Sequence, residues 1–193
     1  MSLEKIKNLR EKTGAGVVDV KKALDEAVQD EEKALEILRK RGLEKAAKKS
    51  ERTAQEGVIV SYIHSNGKVG AMVKLLCETD FVARNEEFKE LGMDIAMHIT
   101  AMNPKFLKPE DVSLEIIEKE KEIWKEQLKN ENKPENILEQ IMAGKEKKFR
   151  EDLALLSQAF VKNPDETVGD LVAGKIGKIG ENIQIGEFVR FEL

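Results

Sequence analysis

Few side chains in this sequence could do chemistry unaided. There is one cysteine, Cys77, and there are two histidines, His64 and His98. Cys77 follows Val73 and Leu75 on one face of a strand-like run, which points to a buried, inert thiol. His98 lies in "IAMHIT", close to the apolar face of a helical stretch, and reads as a hydrogen-bonded packing residue. His64 stands next to a turn and reads as exposed. These three residues suggest neither a metal site nor a nucleophile–base pair. The 37 acidic residues contain no marked pair, so no catalytic constellation is legible, and neither an enzyme nor a bound cofactor is expected.

Two glycine strings could be mistaken for phosphate cradles. "TGAG" at 13–16 precedes a helical pattern but follows no strand. "GKIGKIGEN" at 174–182 lacks P-loop spacing. Both read as turns at helix ends. The remaining string of interest is "TDFVARN" at 79–85, which puts a carboxylate beside a large aromatic just past an apolar strand. Two readings stand side by side. In one, Asp80 is a turn or cap residue and Phe81 a core anchor. In the other, Asp80-Phe81 is a probe aimed at a partner.

Periodicity indicates the elements that must position these residues. Residues 3–40 carry three short amphipathic helices. Leu3, Ile6 and Leu9 share one face; Val17, Val20, Leu24 and Val28 form the next stripe; Ala34, Ile37 and Leu38 follow Asp30, a helix cap. Residues 41–56 are basic and polar, a helix tail running into a linker with a boundary near Thr53. Two domains are therefore expected: a three-helix module with its basic linker at 1–52, and a core at 53–193.

In the core, "GVIVSYIHS" and "KVGAMVKLLC" flank Asn66-Gly67, a strong hairpin cue that predicts a two-residue type I′ loop. That register sets Tyr62 against Ala71, Val60 against Val73 and Val58 against Leu75. One face is then apolar and the other, with Ile59, Ile63 and Met72, is mixed. Asn85 caps a helix striped by Phe88, Leu91, Ile95, Ile99 and Met102. Residues 113–130 read as a charged helix with a seam of Ile116, Ile117, Ile123, Trp124 and Leu128. "ENKP" breaks the pattern and sets Pro134 at the start of another helix, which runs to about Val161. A last helix starts at Thr167, and Ile183, Ile185, Val189 and Phe191 alternate in a closing strand. The fold class expected is α+β: a small antiparallel sheet packed by helices on one face.

Bulk properties narrow the function. The net charge is −4, yet residues 1–52 hold 14 Lys/Arg against 11 Asp/Glu and the remainder 19 against 26. A mildly basic module on an acidic body is too weak a signal for direct nucleic-acid binding. No apolar run approaches the roughly 20 residues of a membrane helix, and "MSLEKIKNLR" has no signal core. A single cysteine fits a reducing cytoplasm.

Six strings occur in order: "LREKTGAGVVDVKKAL", "RGLEKAAKKSERTAQEGVI", "CETDFVARNEEF", "IAMHI", "GKEKKF" and "FVKNP". Together the chain resembles bacterial translation elongation factor Ts from end to end. The resemblance implies a non-enzymatic guanine nucleotide exchange factor acting on the GTPase elongation factor Tu. It implies that the N-terminal module is like a ubiquitin-associated domain and docks on the GTPase, with Arg10, Val17 and Val18 at partner-facing positions. Thr79, Asp80, Phe81 and Val82 match the block that intrudes beside the nucleotide site and helps dislodge magnesium. His98 matches a histidine associated with the same contact. The family often carries methionines and a cysteine where this chain has Val17, Val18 and Val20. Its length resembles the short members, which implies a homodimer paired through the core and binding two GTPase molecules. Ile59, Ile63 and Met72 are candidates for that pairing. Two competing readings stand beside it: a ribosome- or RNA-associated binding module, and an enzyme that uses carboxylates for acid–base chemistry.

Overall fold

A computed structural model describes residues 2–129 and 134–193. The chain divides into two compact units. One comprises residues up to Thr100 together with Gly169–Leu193, and the other Ala101–Val168.

The first unit begins with helices α1 (Leu3–Thr13), α2 (Val17–Glu26) and α3 (Glu31–Lys49). Their ends are set by local hydrogen bonds. Ser2 accepts from the Glu4 amide, and Asp30 accepts from the amides of Glu32 and Lys33. "TGAG" is the turn between α1 and α2: Gly14 sits at φ 65° and donates to the Arg10 carbonyl at 2.8 Å. Ile6, Leu9, Val20, Ala23, Leu24, Ala27, Ala34 and Leu38 make a small core. The expected stripes are narrower than the sequence pattern suggests. Leu3 opens α1 and is 84% exposed, and Val28, 86% exposed, lies past the end of α2 in a turn at φ 52°.

Strands β1 (Glu56–Ile63), β2 (Val69–Cys77) and β5 (Gln184–Glu192) form an antiparallel sheet with β2 in the middle. The hairpin register is the expected one, with Val58 opposite Leu75, Val60 opposite Val73 and Tyr62 opposite Ala71. The turn differs from the expectation. Only Gly67 has positive φ, at 64°, and its amide donates to the His64 carbonyl. Asn66 stays at negative φ, and its side chain accepts from the Lys68 amide at 2.9 Å. The asparagine thus acts through an Asx turn rather than as half of a type I′ pair.

Helix α4 (Asp80–Ala83) is a single turn, and α5 (Glu86–Met102) follows under the cap of Asn85, which accepts from Glu87 at 2.8 Å. Phe88, Leu91, Ile95 and Ile99 are fully buried, but Met102 is half exposed at the helix end. Gly92 brings α5 close to the sheet, since a Cβ there would lie 2.7 Å from Val60 Cγ2. Helix α8 (Val168–Ile179) then leads through Gly180 into β5, so "GKIGKIGEN" is helix and turn.

Strand β5 does not alternate as its composition suggests. Its register against β2 shifts between Val73 and Leu75, where one more residue is accommodated on β5. Ile183 and Ile185 are buried before the shift, while Val189 and Phe191 are 41% and 68% exposed after it. One inserted residue exchanges the two faces of a strand, so the last apolar residues point away from the core.

In the second unit, α6 (Leu114–Leu128) packs on α7 (Glu135–Leu153), with Trp124 edge-on to Phe149 at 5.6 Å. The buried seam of α6 is Ile117, Trp124 and Leu128, whereas Ile116 and Ile123 face outward. Pro134 caps α7, and the break expected just before it lies outside the described residues. α7 stops at Leu153, well short of Val161. It is followed by a short 3₁₀ turn and a small antiparallel pair, β3 (Ala159–Phe160) and β4 (Asn163–Thr167).

Candidate functional site: an exposed aromatic on a clamped turn

β2 ends at Cys77, and the chain turns at once. Thr79 is extended, at φ −127° and ψ 155°, and its hydroxyl accepts from the Val82 amide as the cap of α4. In so short a helix only one side can face the core. Ala83 takes that position and is buried, while Val82 is half buried. Phe81 points out and is 81% exposed. The Asp80 carboxylate lies 2.9 Å from the Arg84 guanidinium, a surface pair one turn apart.

The turn is also held from far along the chain. The Glu181 carboxylate accepts from the amides of Glu78 and Thr79, each at 3.1 Å, and from the Thr79 hydroxyl at 2.7 Å. In return, the Glu78 carboxylate accepts from the Asn182 amide at 2.6 Å. Asn182 is buried and donates to the Arg52 carbonyl at 2.7 Å. Below the turn, the Cys77 thiol donates to the Thr79 carbonyl at 3.2 Å. Burial, aided by the nearby Glu181 charge, pushes this thiol up to about 11, so it stays protonated and inert at neutral pH.

The other candidates sit in two different environments. Arg10, Val17 and Val18 are exposed, Val17 and Val18 at the start of α2, although Val20 one turn on is fully buried. His98 is fully buried, on the same face of α5 as Leu91 and Ile95. The imidazole is packed inside the unit, and solvent does not reach it.

Glu78, Glu181 and Asn182 were not singled out by sequence reasoning. No local signal could have found them, because the carboxylate and the amides it receives are more than one hundred residues apart. The exposed aromatic Phe191, beside Ile63 and Met72, was likewise hidden by the register shift in β5. No group of three or more His, Cys, Asp or Glu among the described residues could hold a metal ion. No helix among them is long and apolar enough to cross a membrane.

Comparison with known proteins agrees over the whole chain. The family model described as Elongation factor TS matches residues 3–193. The chain is 54% identical over 191 residues to the elongation factor Ts of Thermosipho melanesiensis, covering 99% of this chain and 97% of that protein. It is 53% identical over 193 residues to that of Fervidobacterium nodosum, covering 100% and 98%. With that of Carboxydothermus hydrogenoformans it shares 55% over 188 residues, covering 97% and 87%. On this end-to-end match the chain belongs to the elongation factor Ts family, whose role is in the elongation stage of protein biosynthesis.

Proposed function

We propose that the chain is a guanine nucleotide exchange factor for elongation factor Tu, a cytoplasmic protein that promotes GDP release without catalysing a covalent reaction. The observation that carries this reading is Phe81, a large aromatic left 81% exposed on a turn that is hydrogen-bonded from several sides. A core anchor would be buried. A floppy loop would lack the clamp.

Exchange is a linkage problem. A factor that binds the nucleotide-free GTPase more tightly than the GDP-bound one weakens GDP by the same ratio. Equal affinity for both states would shift nothing. Burying a phenylalanine contributes roughly 1.5–3 kcal/mol. If Phe81 gains that contact only when the partner's magnesium-holding elements have moved, its burial is spent on the released state. Mg²⁺ tolerates little distortion of its octahedral shell, so a small displacement suffices to weaken it. Asp80 and Thr79 shape the turn, and Val82 roots it.

Docking falls to the N-terminal module, a ubiquitin-associated-like three-helix unit, through Arg10, Val17 and Val18. His98 enters differently. Fully buried, it supports α5 behind the turn, and direct contact with a partner requires that face to be uncovered. The outer face of the sheet, with Ile59, Ile63, Met72, Val189 and Phe191 exposed, is suited to pairing two copies of the chain. The RNA-binding reading has less support. Among the basic residues of α3 and its linker, Arg41, Lys45 and Arg52 are already paired with Glu26, Asp19 and Glu78.

The test is stopped-flow release of a fluorescent GDP from elongation factor Tu. Dose-dependent acceleration by the wild type is expected. A folded wild type that leaves the spontaneous rate unchanged would overturn the reading.

A further inference from the structure

We propose that Glu181 is a positioning residue for exchange: its carboxylate holds the turn that presents Phe81 in a fixed, stiff geometry. This inference rests on the exchange reading above. A wedge displaces a partner's elements only if it resists being displaced itself, and local interactions cannot supply that resistance. Helix α4 has four residues, a single turn that ends before α5 begins at Glu86. Its capping contact, from the Val82 amide to the Thr79 hydroxyl, is long at 3.5 Å. The Asp80–Arg84 pair is exposed and contributes little.

Glu181 supplies what the turn lacks. It receives three donors from Glu78 and Thr79, and bonds to an ionised acceptor are about twice as strong as neutral ones. The clamp is reciprocal, because Glu78 binds the Asn182 amide in return. It is also anchored, because buried Asn182 holds the Arg52 carbonyl at the end of the segment that follows α3. Three stretches of chain thus meet at the base of the turn, and Glu181 takes both the Thr79 amide and the Thr79 hydroxyl.

The experiment measures fluorescent GDP release from elongation factor Tu over a range of factor concentrations. It uses the wild type, Glu181→Ala, Phe81→Ala and the double variant, with melting curves for each. Glu181→Ala is expected to stay folded, to lower the saturating release rate about tenfold, the size expected for losing charge-assisted hydrogen bonds, and to leave the half-saturating concentration within about threefold of wild type. In the Phe81→Ala background the same substitution should cost little more, because it acts through Phe81. Equal saturating rates for Glu181→Ala and wild type would overturn the inference alone. So would a loss that stacks fully on Phe81→Ala or appears only in the half-saturating concentration, since a general structural defect would do that. An inactive wild type would overturn the exchange reading and this inference together. If Glu181→Ala does not fold, Glu181→Gln keeps the volume and one acceptor oxygen but removes the charge. It should release GDP several-fold more slowly than wild type, and an unchanged rate would overturn the inference.

Discussion

The Lys178 ammonium lies 2.5 Å from the Glu87 carboxylate, and the methylene stem of the same lysine covers Gly14. One side chain therefore links α8, the start of α5 and the turn between α1 and α2. Glycine is favoured at position 14 for two reasons. Its φ is 65°, and a Cβ would stand 2.7 Å from Lys178 Cδ.

This pairing gives stability a pH dependence. The hydrogen bond from Lys178, with Lys175 adding to it, holds the Glu87 carboxyl below the usual glutamate range. Lys121 and then Arg150 do the same for Glu146. A depressed folded-state pKa means that the unfolded chain takes up the proton first. The stabilisation is therefore complete above the ordinary glutamate pKa and is lost as pH falls through the folded value. Denaturation midpoints should be flat down to about pH 5 and fall below it. Glu87→Gln and Glu146→Gln should each flatten that decline. An unchanged acid slope in both variants would show that these pairs contribute nothing.

Phe81→Ala should leave stability within about 0.5 kcal/mol of wild type, as expected for a surface position, while cutting GDP release from elongation factor Tu. Urea denaturation and stopped-flow fluorescence read the two effects separately. A loss of 3 kcal/mol or so, the range for truncating a buried phenylalanine, would return Phe81 to the core.

Two copies of the chain should pair through the outer sheet face. Phe191→Glu combined with Ile63→Lys places charges on two exposed positions and should shift the protein from dimer to a monomer that still unfolds cooperatively, at a melting temperature lowered by the lost association. Sedimentation equilibrium at micromolar concentration decides the matter. A monomeric wild type, or a variant that remains dimeric, would rule out pairing through this face.

Val28 should be a site of stored strain. It has φ 52°, in the left-handed region where a β-branched side chain is crowded, and it is 86% exposed, so little packing offsets the cost. Val28→Asn should raise stability by about 1 kcal/mol, because asparagine tolerates this backbone. A lower denaturation midpoint for the variant would mean that the exposed valine makes a contribution not visible in its contacts.

Much of the architecture was legible from residue order, because it depends on neighbours close in the chain. Asp30 and Asn85 cap helices through their own side chains, the 3.6-residue stripes mark α2 and α5, and Asn66-Gly67 sets the register of β1 against β2. Family membership was legible for the same reason, since it resides in the order of strings such as "TGAG" and "TDFVARN". The candidate site was legible only as a pair of competing readings for Phe81, because an aromatic after a strand is equally at home inside or outside. Tertiary structure excluded the core anchor, because Phe81 is exposed. Exposure depends on what packs against a residue from elsewhere, and at this turn the distant partner is the Glu181 carboxylate, which grips the backbone and leaves Phe81 uncovered. The same holds for β5. Its composition alternates evenly, but one extra residue opposite Val73 and Leu75 turns Val189 and Phe191 from core to surface, and only pairing with β2 reveals where that residue is accommodated.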